Sequence, residues 1–325
     1  MGIMCKIMRG DFIESMHVAY AVVVDGEGKI VQNWGDPNYL TCIRSSLKPF
    51  QASASIVAGA TEAAGFTTKE LALMCASHNG EDIHVKTAQS MLKKLGYDIS
   101  YYECGSHAPY DNKSKHDLIK QSQKPTTLHN NCSGKHAGML CLSKQLQADP
   151  NGYTHVDHPV QQAIMKQVGT YSELNNFPLE IDGCSAPVPF MPLYNIALMY
   201  QKFSSGKYDE LNVLYNTMAS NPMLVAGTDR FDTDFISAMA GRAVTKVGGE
   251  AVRGLGIRND NGEIFGIALK VLDGNQRCSP PAMMAVLNEL NLLSNDENSK
   301  LLKYQNTILK NHRKLNVGSI KVEIM

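Results

Sequence analysis

The apolar pattern changes period twice along this chain, and that constrains the fold more than any single motif. Near the N-terminus, HVAYAVVVDGEGKIVQNWG reads as a hairpin. Ala19–Val24 is a buried strand, Asp25-Gly26 the turn, and Lys29–Trp34 the return strand. From about Thr67 to Ala240 the pattern is helical: TTKELALMCASH, VKTAQSMLKKLG, PVQQAIMKQVGTYS, PLYNIALMYQKFSSG, YDELNVLYNTMASNP and DTDFISAMAGR, separated by Gly, Pro and Asn. The first of these opens on a Thr cap with Glu three residues on. Then the period returns to two. AVTKVGGEAVRGLGIRNDNGEIFGIALKVLDG gives three strands, with Asn259–Gly262 the sharpest turn, and SPPAMMAVLNELNLL closes as a helix. This order predicts an α/β fold of the α+β kind in a single domain, 1–325. A mixed sheet comes from both chain ends, 1–66 and 241–325, with a mainly helical half, 67–240, inserted.

Composition narrows the ligand. In 325 residues, 31 basic side chains balance 31 acidic ones, so no nucleic-acid footprint is expected and the ligand is a small molecule. Eight cysteines are scattered along the chain, and MGIMCKIMRGD lacks an apolar leader. Both features read as reduced thiols in a cytoplasmic protein. No apolar run reaches the ~18 residues of a membrane span.

RSSLKPFQA places Ser45 and Lys48 three residues apart. Pro49 is tolerated only in a helix's first turn, so a helix is expected to start near Ser45 and continue through FQASASIVAGA, packed closely on both sides. Residues i and i+3 share a helix face, so a neutral Lys48 can take the Ser45 proton. The spacing alone is equally that of a Ser cap and a solvated lysine, and Ser90–Lys93 and Ser204–Lys207 repeat it. Context favours chemistry. The S-x-x-K of serine β-lactamases and penicillin-binding proteins opens a helix after N-terminal strands, with a second serine and a late K-T-G following. Here CASHNGED offers Ser77 at the end of a helix, and TKVGGEA offers Lys246-Val247-Gly248.

Three further stretches carry reactive side chains. HNNCSGKHAGML holds Cys132, Lys135 and His136, and EIDGCSAPVPF holds Asp182 and Cys184. Two thiols in Gly- and Pro-rich loops can share a soft metal ion, though no C-x-x-C is present. His136 reads equally as a core histidine, and Asp182 as a turn residue. GTDRFDTD is either a loop binding an anion or ammonium group or a capped helix start.

Taken together, ESMHVAYAVVVD, RSSLKPFQA, CASHNGE, HNNCSGKHAGML, DGCSAPVPF and GTDRFDTDF resemble the asparaginase II family, the Rhizobium etli type of L-asparaginase, from about Glu14 to Gly249. The resemblance implies a fold like that of serine β-lactamases and glutaminases, and hydrolysis of L-asparagine to L-aspartate and ammonia. It implies Ser45 as nucleophile with Lys48 as its base, and Ser77 as a second catalytic serine paired with Lys246, for which Lys270 is a rival. It implies one zinc ion per chain on Cys132, Lys135 and Cys184. His136, Asp182, Arg44, His78 and Gly248 would contact substrate, and relatives imply a homodimer. A glutaminase or a non-catalytic amino-acid-binding relative are the alternatives.

Overall fold

The computed structural model describes residues 2–259 and 261–325. Asp260, within the turn expected at Asn259–Gly262, lies outside the described residues. The chain divides into two compact units. One comprises Met1–Ser46, Met191–Ser205 and Ser237–Met325, the other Leu47–Phe190 and Gly206–Ile236. In chain order, the helices discussed are α1 (Lys48–Val57), α2 (Thr68–Met74), α3 (Asp82–Leu95), α4 (Ser133–Gln145), α5 (Pro159–Ser172), α6 (Leu193–Ser204), α7 (Asp209–Ser220) and α8 (Ser279–Glu289). The strands are β1 (Ile3–Arg9), β2 (Phe12–Val24), β3 (Ile30–Trp34), β4 (Ala243–Val247), β5 (Val252–Arg258), β6 (Ile264–Val271), β7 (Ile308–Lys310) and β8 (Asn316–Ile324).

The first unit is built on an eight-stranded sheet in the order β7-β8-β1-β2-β6-β5-β4, with β3 paired to the end of β2. These pairings are antiparallel. Both chain ends feed the sheet, as the change of period predicts. Three of its strands were not anticipated, β1, β7 and β8; β1 and β8 pair with Ile3 opposite Ile324 and Ile7 opposite Ile320. β1 is period-two, with Ile3, Cys5 and Ile7 buried between half-covered Met4 and Lys6. α6 lies on β6, β5 and β2. That approach needs strand glycines: a Cβ on Gly266 would stand 2.1 Å from Ala197 O, and one on Gly254 would stand 1.9 Å from the Tyr200 ring.

The second unit is helical. α1 packs against α5, α4, α7 and α2, and every residue from Lys48 to Ser55 is buried. Small Ala and Ser side chains allow that crowding, and their hydroxyls turn to backbone, as Ser55 Oγ does to Gly138 O at 3.1 Å. α2 carries the expected capping box, Thr67 with Glu70. Two details differ from expectation. Arg44–Leu47 forms a 3₁₀ turn, and the α-helix begins at Lys48 with Pro49 in its first turn. α2 ends at Met74, so Ser77 stands beyond it in a stretch outside any helix or strand. Among the described residues no helix is long and apolar enough to cross a membrane.

Candidate active site

In the sheet unit the reactive residues gather around the Ser45 turn. Arg44 sits in the left-handed region, φ 49°, directly before Ser45. A non-glycine residue adopts this only when its surroundings impose it. Those surroundings are visible. Ser46 Oγ donates to Lys246 O at 2.8 Å, and Tyr200 Oη donates to Ser46 O at 2.7 Å. Gly248 lies so close that a Cβ there would be 2.8 Å from Ile43 O and 2.5 Å from Val252 Cγ1. The Ser45 hydroxyl itself has no hydrogen bond among the described residues. Lys246 is fully buried on β4, and its amine donates to Val247 O at 2.8 Å. Lys270 donates to Glu250 O, and burial lowers its amine from the ordinary lysine value.

In the helical unit, Lys48 is 1% exposed. Its Nζ donates to Ser77 Oγ at 2.9 Å, Ala76 O at 2.5 Å and Asn131 O at 3.2 Å. Three oxygens thus surround the amine. The chain around Ser77 is anchored on both sides, with Ser77 N on Val225 O at 3.0 Å and His78 N on Asn131 O at 3.4 Å. His78 is fully buried. Its Nδ1 accepts from Gly80 N at 3.1 Å, so its Nε2–H donates to Ser133 Oγ at 2.9 Å. Burial, then the charges of His84 and Lys48, hold its pKa well below the usual imidazole range. It is a neutral strut.

The thiol–amine cluster stands in the same unit. Cys132 caps α4 and Lys135 lies in its first turn. Lys135 Nζ donates to Cys184 Sγ at 2.8 Å. Hydrogen bonding from Cys132, with the Lys135 ammonium, pulls the Cys184 thiol far down, while the same bond pushes Cys132 up. Burial alone would lower Lys135, but the sulfurs of Cys184 and Cys132 and the Asp182 carboxylate raise it. Asp182 forms a turn, accepting from Ser185 N at 2.9 Å, and its Oδ2 lies 3.6 Å from Cys184 Sγ. His136 Nδ1 meets Tyr153 Oη at 2.8 Å, while its Nε2 is buried with no hydrogen-bond partner among the described residues. Burial, followed by the Cys184 charge, pushes nearby Cys104 up to about 12. Among the described residues no three His, Cys, Asp or Glu side chains converge as a metal site. Cys132 and Cys184 with the Lys135 amine offer two sulfurs and a nitrogen, donor types that suit zinc.

The structure thus brings Lys48 to Ser77, groups Cys132, Lys135 and Cys184 with His136 and Asp182, and groups Arg44 with Lys246 and Gly248. Sequence reasoning missed Asn131, Ser133, Tyr153 and Asn79 as partners. Asn131, Ser133 and Asn79 lie inside quoted motifs, but their bonds are tertiary.

A buried lysine amine on a serine hydroxyl is equipment for acyl transfer. The sequence profile of L-asparaginase II matches residues 5–322. The chain belongs to the L-asparaginase II family, a family of amidohydrolases. No curated protein matches it. Solved structures similar to it include Mglu in its native form in the presence of 4.3 M NaCl, at 13% identity and TM-score 0.38, covering 84% of this chain and 61% of that one. Mglu in its L-glutamate binding form in the presence of 4.3 M NaCl is similar at 14% identity and TM-score 0.37, covering 84% and 60%. The chain therefore spans about three-fifths of the length of these Mglu chains.

Proposed function

We propose that this chain hydrolyses L-asparagine to L-aspartate and ammonia, with Ser45 as nucleophile, Lys48 as the base and Ser77 as its hydroxyl partner. The observation that carries this reading is the 2.9 Å hydrogen bond from Lys48 Nζ to Ser77 Oγ in a chain of the L-asparaginase II family. Lys48 opens a helix directly after the 3₁₀ turn bearing Ser45. In its neutral form the amine takes the serine proton as the hydroxyl attacks the side-chain amide carbon. Backbone N–H groups at the helix start stabilise the oxyanion. The same proton then goes to the departing nitrogen, releasing ammonia and leaving an aspartyl ester, which water cleaves with the amine again as base. Cys132, Lys135 and Cys184 are the residues that would hold zinc. Bound there, the ion would orient or polarise a substrate group. Lys135 must lose its proton to become a ligand.

One observation favours a second assignment. Lys48 is already bonded to Ser77, so Ser77 could be the acylated residue. Ammonia release from L-asparagine and L-glutamine, for wild type, Ser45→Ala and Ser77→Ala, tests both readings. Release from asparagine that Ser45→Ala reduces by roughly a thousandfold or more supports the proposal. An aspartyl ester trapped on Ser77 supports the second assignment. No release from asparagine sinks the asparaginase reading. Glutamine is one methylene longer, and a pocket separates such substrates by only ~10–200-fold, so some glutaminase activity is compatible with it.

A further inference from the structure

We infer that Arg230 is the anchor for the α-carboxylate of the amino-acid amide, an inference that rests on the amidase reading above. The GTDRFDTD stretch forms a strap across the chain that follows Ser77. Glu81 takes Thr228 N at 2.7 Å and Thr228 Oγ1 at 3.0 Å. Asn79 Nδ2 donates to Thr228 O at 2.9 Å and to Glu81 Oε1 at 3.2 Å, which occupies both of its amide protons. That fixes Asn79 Oδ1 toward Arg230, whose Nη1 donates to it at 2.7 Å. The strap is held in a costly shape. Gly227 has φ 108° and Asp229 φ 57°, and a Cβ on Gly227 would stand 2.4 Å from Glu81 Oε1.

The guanidinium is therefore held on one nitrogen by a buried amide, Asn79 being 5% exposed. Arg230 is half-buried, and its guanidinium makes no other hydrogen bond or ion pair among the described residues. A planar guanidinium fixed at one corner presents its remaining N–H edge as a fork, which matches the two oxygens of a carboxylate. An ordinary solvated arginine needs no such strap. The placement also suits the substrate. Arg230 is held on Asn79, two residues after Ser77, and in L-asparagine two carbons separate the carboxylate from the amide carbon.

The test compares L-asparagine with its α-methyl ester, which lacks the anionic group, on wild type, Arg230→Gln and Arg230→Lys. For Arg230→Gln, KM for asparagine rises about 10–100-fold while kcat changes little, and the preference for acid over ester collapses. Arg230→Lys restores part of that preference. An Arg230→Gln variant that loses kcat equally on both compounds, preference intact, overturns the inference, because Arg230 then only positions the Asn79 chain. Calorimetry with L-aspartate needs no turnover. Aspartate binding weakened about tenfold or more in Arg230→Gln supports the anchor even if wild type releases no ammonia, in which case only the amidase reading fails. Aspartate binding that is absent from wild type, or equal in both proteins, overturns the anchor.

Discussion

The two units hold their reactive residues by different means. In the sheet unit the Ser45 turn is fixed through backbone: Ser46 Oγ on a strand carbonyl, a phenol on Ser46 O, and Gly248 against Ile43 O. In the helical unit the side chains fix one another, with Lys48 on Ser77, His78 on Ser133 and Lys135 on Cys184. A backbone cradle sets where an atom sits and is sensitive to volume. A side-chain network sets protonation and is sensitive to charge and pH. The turn proposed to carry the nucleophile is built as the first and the proposed base as the second.

The largest expected effect follows from that division. Lys48→Ala removes the amine that the helical network surrounds, and turnover of asparagine falls by about 10³-fold or more. Lys246→Ala, on the sheet side, costs less in kcat. Steady-state kinetics on both variants decides the matter, and a greater loss in Lys246→Ala would move the base to the sheet unit.

Next comes volume in the cradle. A methyl on Gly248 meets Ile43 O and Val252 and must displace the turn carrying Ser45. Gly248→Ala is expected to lower kcat about 10–100-fold, because misplacement of an attacking atom is costly. Gly266→Ala meets Ala197 O under α6 instead. It is expected to destabilise the protein by about 1–3 kcal/mol and to spare kcat in the folded fraction. Thermal melts with kinetics on both variants separate the two. Equal kcat losses would mean that Gly248 acts only through stability.

Much of this was legible in the sequence, for local reasons. Glycine, proline and asparagine bound α3, α5, α6 and α7 where the pattern changes, and Thr67 with Glu70 announces α2. The strands β4, β5 and β6 follow from period two and short turns. β1, β7 and β8 were not read from the sequence: β1 and β8 meet across nearly the whole chain, and although β1 also pairs with the neighbouring β2 and β8 with β7, only β1 shows a clear period-two burial pattern. The site was legible as a set of residues and not as a set of pairs. Spacing offers Lys48 to Ser45, whereas its hydrogen bond to Ser77 spans 29 positions. Likewise Arg230 finds Asn79 across 151 positions. Such bonds depend on how helices pack, which no local pattern encodes.

A pH effect should also divide the units. In the helical unit, burial lowers the pKa of both His78 and His84 below the ordinary value. A depressed histidine contributes stability that is fully present above its unfolded value near ~6.5 and is lost as pH falls below it, because the unfolded chain then binds more protons. Each histidine that stays neutral contributes a slope of about 1.4 kcal/mol per pH unit in that window. Hydrogen exchange at pH 5.5 and 7.5 should show protection falling more in 47–190 than in the sheet strands. Equal loss in both units would remove this difference.

The smallest effect sharpens the comparison, because both units contain the same device. Glu70 closes a capping box with Thr67 and takes Lys94 at 2.6 Å; Glu297 closes one with Ser294 and takes Arg242 at 2.8 Å. Burial works to raise each carboxyl, but the cation and cap donors overcome it and hold both below the ordinary value. Their contribution is therefore present above the unfolded value near ~4.3 and is lost as pH falls below it. At neutral pH, Glu70→Gln and Glu297→Gln should each cost about 1 kcal/mol. Their kinetics should differ. Glu70 belongs to the helix that leads into Ser77, so loosening its start reaches the Lys48 network, and kcat should fall two- to threefold, roughly what a few tenths of a kcal/mol in the barrier produces. Glu297 caps a helix in the sheet unit remote in sequence from the Ser45 turn, and kcat should not change. Equal melting shifts with unequal kcat would show that a cap matters for turnover only where side chains, rather than backbone, hold the reactive group.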